Sequence, residues 1–235
     1  QNYEKEYINM LNRHIVDGII AGSHLLDFEE YQGVQGPIVA LDRFLGENIP
    51  VVSTNHKIGG KLAAEELIRN NCRCVLQIQG ARIVDSPSHE RHYEFERYMK
   101  KHGVTVYSHE MDWNDFDYGQ YDVMADMLMD KYPDIDGIFA ADMVAIACIR
   151  QLLKRKKKVP RDVKVVAYDG TYVAKVGVMN LTVVQQPIEE LAKSAVNILL
   201  NMMQGKKYHN KKAFFEPSLL YGDTTYNKDK IEFEN

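Results

Sequence analysis

The stretch that decides the fold is VKVVAYDGTYVAKVGVMNLTVVQQP, Val163 to Pro187. Its first apolar run, Val163 to Tyr168, has the length and β-branched content of a buried strand, yet it stops on an acid, Asp169, with Gly170 directly behind it. A second run, Leu181 to Val184, stops on Gln185 and Gln186 and then Pro187. The stretch therefore asks what an acid and an amide do at the ends of two such strands.

Outward from this stretch, apolar runs of strand length alternate with amphipathic stretches of helix length along almost the whole chain. Strands are expected near Gly18 to Ala21, Ile38 to Leu41, Val51 to Thr54, Val75 to Ile78, Val104 to Tyr107, Gly137 to Ala140, Val163 to Tyr168 and Leu181 to Val184. Helices fall between them, at Tyr3 to Arg13, Gly59 to Arg69, Ser88 to Lys101, Gly119 to Lys131, Met143 to Arg155 and Ile188 to Met203. This alternation predicts an α/β fold of doubly wound parallel sheets. An internal echo, HIVDGIIAGS from His14 and DIDGIFAAD from Asp134, suggests two similarly wound halves, although Asp-Gly before a strand is also ordinary turn chemistry.

Composition limits the function. The chain has 235 residues, 45% of them hydrophobic, enough for a sizeable core. No apolar run approaches the roughly 18 residues of a membrane span, and no leader-like segment opens the chain, so a cytoplasmic protein is expected. Three cysteines, two of them at Cys72 and Cys74, are too few and too close for a disulfide framework. With a net charge of −4, the chain has no overall attraction for nucleic acid. The basic run Lys154 to Lys158 fits a solvated helix C-terminus better than a phosphate contact. The common phosphate-loop, zinc-protease, nucleophile-elbow and dinucleotide signatures are absent. His89 and His92 in SHERH have no third ligand at a useful spacing, so no metal and no cofactor are expected.

Polar residues do recur just beyond strand C-termini: Asp42 after PIVAL, Asp142 after GIFAA, Asp169 after KVVAY and Gln186 after LTVVQ. In parallel α/β sheets ligands bind outside the carboxyl ends of the strands. Carboxylate and amide groups there suit a hydroxyl-rich ligand. Trp113, the single tryptophan, sits in a connection where its face could meet a sugar ring or simply plug a gap.

Taken in order, HIVDGIIAG, PIVALDR, VVSTNHKIGGKLAAEELIRN, SPSHERHYEF, GIFAADMVAIACIRQL, VPRDVKVVAYDGT and LTVVQQPIEELAKSAVNILL resemble the effector-binding core of the LacI family of sugar-responsive repressors, from about Asn2 to Thr225. Within the family, the sugar-operon repressors of low-GC Gram-positive bacteria, sucrose-type ones included, look closest. The resemblance implies two periplasmic-binding-protein-like subdomains, residues 1–54 plus 187–212 and residues 55–186 plus 213–225, with a tail at 226–235 and a sugar in the cleft between the subdomains. It also implies a non-enzymatic homodimer that meets operator DNA only through a headpiece not in this chain, with no membrane partner. By residue, it places Asp42, Arg91, Trp113, Asp169 and Gln186 on the ligand. Departures are Ala141 and Glu94, where the family often has Asn and Gly, and a Trp113 loop one residue longer. The chain is also expected to begin at the family's second helix, without the first strand, helix and second strand of the core. A transport-type sugar-binding protein and a sugar-processing enzyme built on Asp42 and Asp169 are the alternatives.

Overall fold

A computed structural model describes residues 2–22, 29–112, 118–177, 179–206 and 211–226. The helices are α1 (Asn2–Asn12), α2 (His56–Arg69), α3 (Glu90–Lys101), α4 (Tyr118–Lys131), α5 (Asp142–Lys154) and α6 (Ile188–Met203). The strands are β1 (Ile19–Ala21), β2 (Ile38–Leu41), β3 (Val51–Thr54), β4 (Cys74–Gln79), β5 (Thr105–Glu110), β6 (Gly137–Ala141), β7 (Lys164–Asp169), β8 (Thr182–Gln185), β9 (Lys212–Phe215) and β10 (Ser218–Leu220). Every expected strand and helix is present, and the C-terminal return supplies β9 and β10 in addition.

The described chain divides into two compact units, Gln1–His56 with Arg82–His89 and Pro187–Glu216, and Lys57–Ala81 with Glu90–Gln186 and Pro217–Asn235. Residues 55–56 join the first unit, and two longer segments also differ from the expected partition. Arg82–His89 joins the first unit rather than lying within an unbroken 55–186, because the Ser86 hydroxyl donates to the Asp42 carbonyl at 2.6 Å. Residues 213–216 also join the first unit, since β9 pairs with β3 from Val51↔Lys212 to Thr54↔Phe215.

In the first unit the sheet order is β1-β2-β3-β9, all parallel. The strand period of two sends Val39 and Val52 to the face covered by Ala195 and Ile198 of α6, and Ile38, Ala40 and Val51 to the face covered by Ile8 and Leu11 of α1. In the second unit the order is β10-β8-β7-β6-β4-β5, parallel except for β10. Leu76, Ile138, Val165, Ala167 and Val183 face α4 and α5, whereas Val75, Phe139, Val166, Tyr168 and Val184 face α2 and α3. Buried side chains of this size contribute roughly 1.5 to 3 kcal/mol each. Both sheets are thus sandwiched by helices, as a doubly wound fold requires.

The Asp-Gly echo has a packing origin. A Cβ at Gly18 would lie 2.9 Å from Leu199 Cδ1, and one at Gly137 would lie 2.6 Å from Val75 Cγ1, so a strand start without a side chain makes room for α6 over the first sheet and for the Val75 side chain of β4 in the second. The Asp136 carboxylate in addition accepts from the backbone N–H groups of Arg73 and Cys74.

Candidate ligand-binding site

The opening stretch resolves into the end of β7 beside the end of β8. Asp169 pairs with Gln185 in register, and the Gln186 N–H donates to the Asp169 carbonyl at 3.0 Å. The Gln186 side-chain amide donates to Asp169 Oδ1 at 2.8 Å, so the acid and the amide form one hydrogen-bonded unit. Asp169 has φ 102°, a conformation that costs a non-glycine residue on the order of 1 to 3 kcal/mol. The next residue must be glycine: Gly170 has φ 71°, and a Cβ there would lie 2.7 Å from Gln185 Cβ.

Asp142 secures this turn. Its carboxylate accepts from Thr171 N at 2.7 Å, Thr171 Oγ1 at 2.9 Å and Gly170 N at 3.4 Å. Burial pushes its carboxyl up to about 6, against the opposing pull of the Thr171 bonds, with the Asp169 charge adding to the rise. The residue that caps this turn is therefore Asp142, not the adjacent Asp169. That frees the Asp169 carboxylate, about 30% exposed, to face outward with Gln186.

Arg91 reaches the same place from α3. Its guanidinium carbon lies 4.5 Å from the Tyr168 ring centroid, and Nη1 lies 3.7 Å from Asp169 Oδ1. Two glycines of α2 make this approach possible, since a Cβ at Gly60 would lie 2.0 Å from the Arg91 carbonyl oxygen and one at Gly59 2.4 Å from the Tyr168 hydroxyl. Local acids do not capture Arg91. Glu94 is engaged by both Nε and Nη2 of Arg97, at 2.9 and 2.5 Å, and these bonds hold its carboxyl below the usual range. The chemistry brought together here is a cationic fork stacked on the buried Tyr168 ring, a carboxylate and an amide: donors and acceptors suited to adjacent hydroxyls.

Asp42 lies in the first unit, at the end of β2, with φ 51°, a conformation aspartate adopts more readily than most residues. Its Oδ1 accepts from the Ser53 hydroxyl at 2.5 Å and lies 3.0 Å from Nε2 of the buried His56. Ser53 and His56 converge on the same aspartate oxygen, so Asp42 is the hub of this group and Ser53 directs its proton to the carboxylate. The sequence reading missed both, although VVSTNH shows them clustered at the end of β3. Trp113 lies outside the described residues.

Other candidates have structural partners. His89 Nε2 meets the Val84 carbonyl at 2.8 Å, and Arg155 of the basic run binds Asp126 and Asp130 of α4. Among the described residues, no group of three His, Cys, Asp or Glu side chains could hold a metal ion, and no helix is long and apolar enough to cross a membrane. An open cavity of about 550 Å³ in the first unit is lined by Asp17, Pro37, Asn48, Pro50 and Lys206, at the opposite strand ends from Asp42.

The periplasmic binding protein-like domain family matches residues 64–225. The chain is 30% identical to the ribose operon repressor of Halalkalibacterium halodurans over 97% of its length, spanning 68% of that protein. It is 32% identical to the sucrose operon repressor of Streptococcus mutans over 84% of its length, spanning 60% of that protein. A periplasmic binding protein/LacI transcriptional regulator from Alkaliphilus metalliredigens, solved in complex with D-xylulofuranose, superimposes with a TM-score of 0.84 at 26% identity, covering 96% of this chain and 84% of that one. With the two wound units, the acids at their strand ends and a family match over most of its length, the chain belongs to the periplasmic binding protein-like domain family, in the form found in LacI-type transcriptional regulators.

Proposed function

We propose that this chain is the sugar-sensing core of a transcriptional repressor that controls a carbohydrate-utilisation operon. The observation that carries the reading is the group formed by Arg91, Asp169 and Gln186 beside Tyr168: a fork of donors, an anionic acceptor and an amide that does both, all at the C-terminal strand ends of one sheet. The repressor names of the relatives and the pentulose in the Alkaliphilus structure support a sugar as the effector. Asp42, held by Ser53 and His56, is the first unit's candidate for a ligand hydroxyl. The protein works as a cytoplasmic homodimer and catalyses no reaction on the sugar. Operator DNA is met through a DNA-binding headpiece, and the sugar acts by binding one population of the repressor more tightly than another.

The test is a thermal-shift panel of D-ribose, D-xylulose, sucrose and cellobiose, with turnover of each followed by chromatography. A sugar at 100 times its Kd raises stability by about 2.7 kcal/mol, and the expected result is a shift with one or more of these and no product. No shift with any mono- or disaccharide contradicts the sugar reading, and product formation contradicts the non-enzymatic one.

A further inference from the structure

Two buried polar residues behind Arg91 are not accounted for by ligand contact. Gln77 lies fully buried in the middle of β4, on the face packed against α2 and α3, and His92 follows Arg91 on α3 with 4% exposure. Burying such groups is costly unless each hydrogen bond is made, so their partners define their protonation and orientation. The chain of constraints begins at Glu96, whose carboxylate only accepts. Gln77 Nε2 faces Glu96 Oε2 at 3.4 Å and donates to Ser108 Oγ at 2.8 Å, which turns Gln77 Oε1 toward His92 Nδ1 at 3.3 Å. A ring nitrogen facing a carbonyl oxygen must carry the proton. Neutral His92 then keeps a lone pair on Nε2, and Arg91 Nε donates to that nitrogen at 3.2 Å. The imidazole is steadied by Phe139, at a centroid distance of 5.4 Å.

We propose that His92 is a positioning residue for Arg91: its Nδ1–H is directed to Gln77, and its Nε2 lone pair fixes the guanidinium fork in the orientation in which it meets the ligand. This rests on the reading of Arg91 as a ligand-gripping residue and deepens it. The guanidinium is held at Nε by His92, across its face by Tyr168 and at Nη1 by the charge of Asp169. A fork fixed at three points loses little freedom when a ligand arrives, and it favours ligands with two neighbouring oxygens over those that offer one. The class this fits is a ring or chain with vicinal hydroxyls. The far end of the network, at Glu96 and Lys100, lies away from the ligand group, joined by a bond of 2.5 Å.

Side-chain ¹⁵N NMR of the apo protein at pH 7.5 tests the tautomer without any ligand. The expected spectrum has a protonated Nδ1 and a bare Nε2 on His92, and a slowly exchanging Arg91 Nε–H; a protonated Nε2, or an Arg91 Nε–H that exchanges as fast as exposed arginines, overturns the proposal. His92→Phe fills the ring's space without the acceptor. It should lose the Arg91 signal and weaken binding of D-ribose or sucrose, whichever shifts the native protein, roughly tenfold. His92→Gln, which returns an acceptor, should restore both. Should His92→Phe fail to fold, Gln77→Leu is the second variant: it removes the acceptor of the His92 Nδ1–H and should broaden the Arg91 signal. Native Arg91 behaviour in the folded variants overturns the proposal. Failure of every sugar to bind the native protein counts against the sugar reading alone, because the tautomer and the exchange rate are read in the apo protein.

Discussion

Replacing Asp142 with Asn should change how stability depends on pH, and the structure gives the size. Asp142 is 2% exposed, and burial raises its carboxyl from an ordinary 3.8 to about 6 in the fold. A rise of about two units corresponds to roughly 3 kcal/mol of differential interaction. The sign follows from the raised folded value: the carboxyl's contribution is fully present below the unfolded pKa near 3.8 and is lost as pH rises through about 6. Asn cannot ionise, so Asp142→Asn removes this dependence. It also weakens the acceptor set for Gly170 and Thr171, at a net cost of about 0.5 to 1.5 kcal/mol per bond. The variant should therefore be less stable than the native protein near pH 4 and should recover by roughly 3 kcal/mol, relative to it, by pH 8. Urea unfolding of both proteins from pH 4 to 8, with the Asp142 carboxyl ¹³C shift followed over the same range, measures the two sides of the linkage. A difference in stability that stays constant with pH, or a carboxyl midpoint near 4, refutes the reasoning.

Further outcomes follow from the packing and the ligand group. Gly60→Ala places a Cβ about 2.0 Å from the Arg91 carbonyl, so α3 must shift; amide exchange in α3 should accelerate and the melting temperature should fall by several degrees. Asp169→Asn and Gln186→Ala each remove one member of the hydrogen-bonded pair and should weaken sugar binding by roughly 1 to 3 kcal/mol by calorimetry. Ser86→Ala removes the bond that ties Arg82–His89 to Asp42, and faster exchange of those amides is the expected readout.

The strands and helices were legible because short apolar runs and helical patterns alternate cleanly, and Asp42 and Asp169 were legible because each follows an apolar run directly, with Gln186 separated from such a run by Gln185 alone. Their partners were not. Asp142 has the same sequence signature as Asp169, and only the fold shows that one caps the turn while the other faces outward. His56, Ser53 and His92 depend on contacts between separate strands and helices, which spacing along the chain does not encode. One trace was readable: Gln77 and Gln79 interrupt the apolar strand CVLQIQ, and a buried amide in mid-strand implies a polar partner across the sheet face. The detour of Arg82–His89 into the first unit left no such trace, since its eight residues show no periodicity and are placed by hydrogen bonds to Asp42 and among Ser86, Ser88 and His89.

Calorimetric titration of the native protein and of Arg91→Ala, with whichever sugar of the panel raises the native melting temperature, tests the central claim most directly. Arg91 offers its fork through charge-assisted bonds worth about 1.5 to 3 kcal/mol each, and it makes no pairing with Glu94 that its loss would expose. The account predicts that affinity falls on the order of a hundredfold, together with a drop of several degrees in the apo melting temperature as the buried His92 Nε2 loses its donor. Unchanged affinity in Arg91→Ala, with the native protein binding the sugar normally, would contradict it.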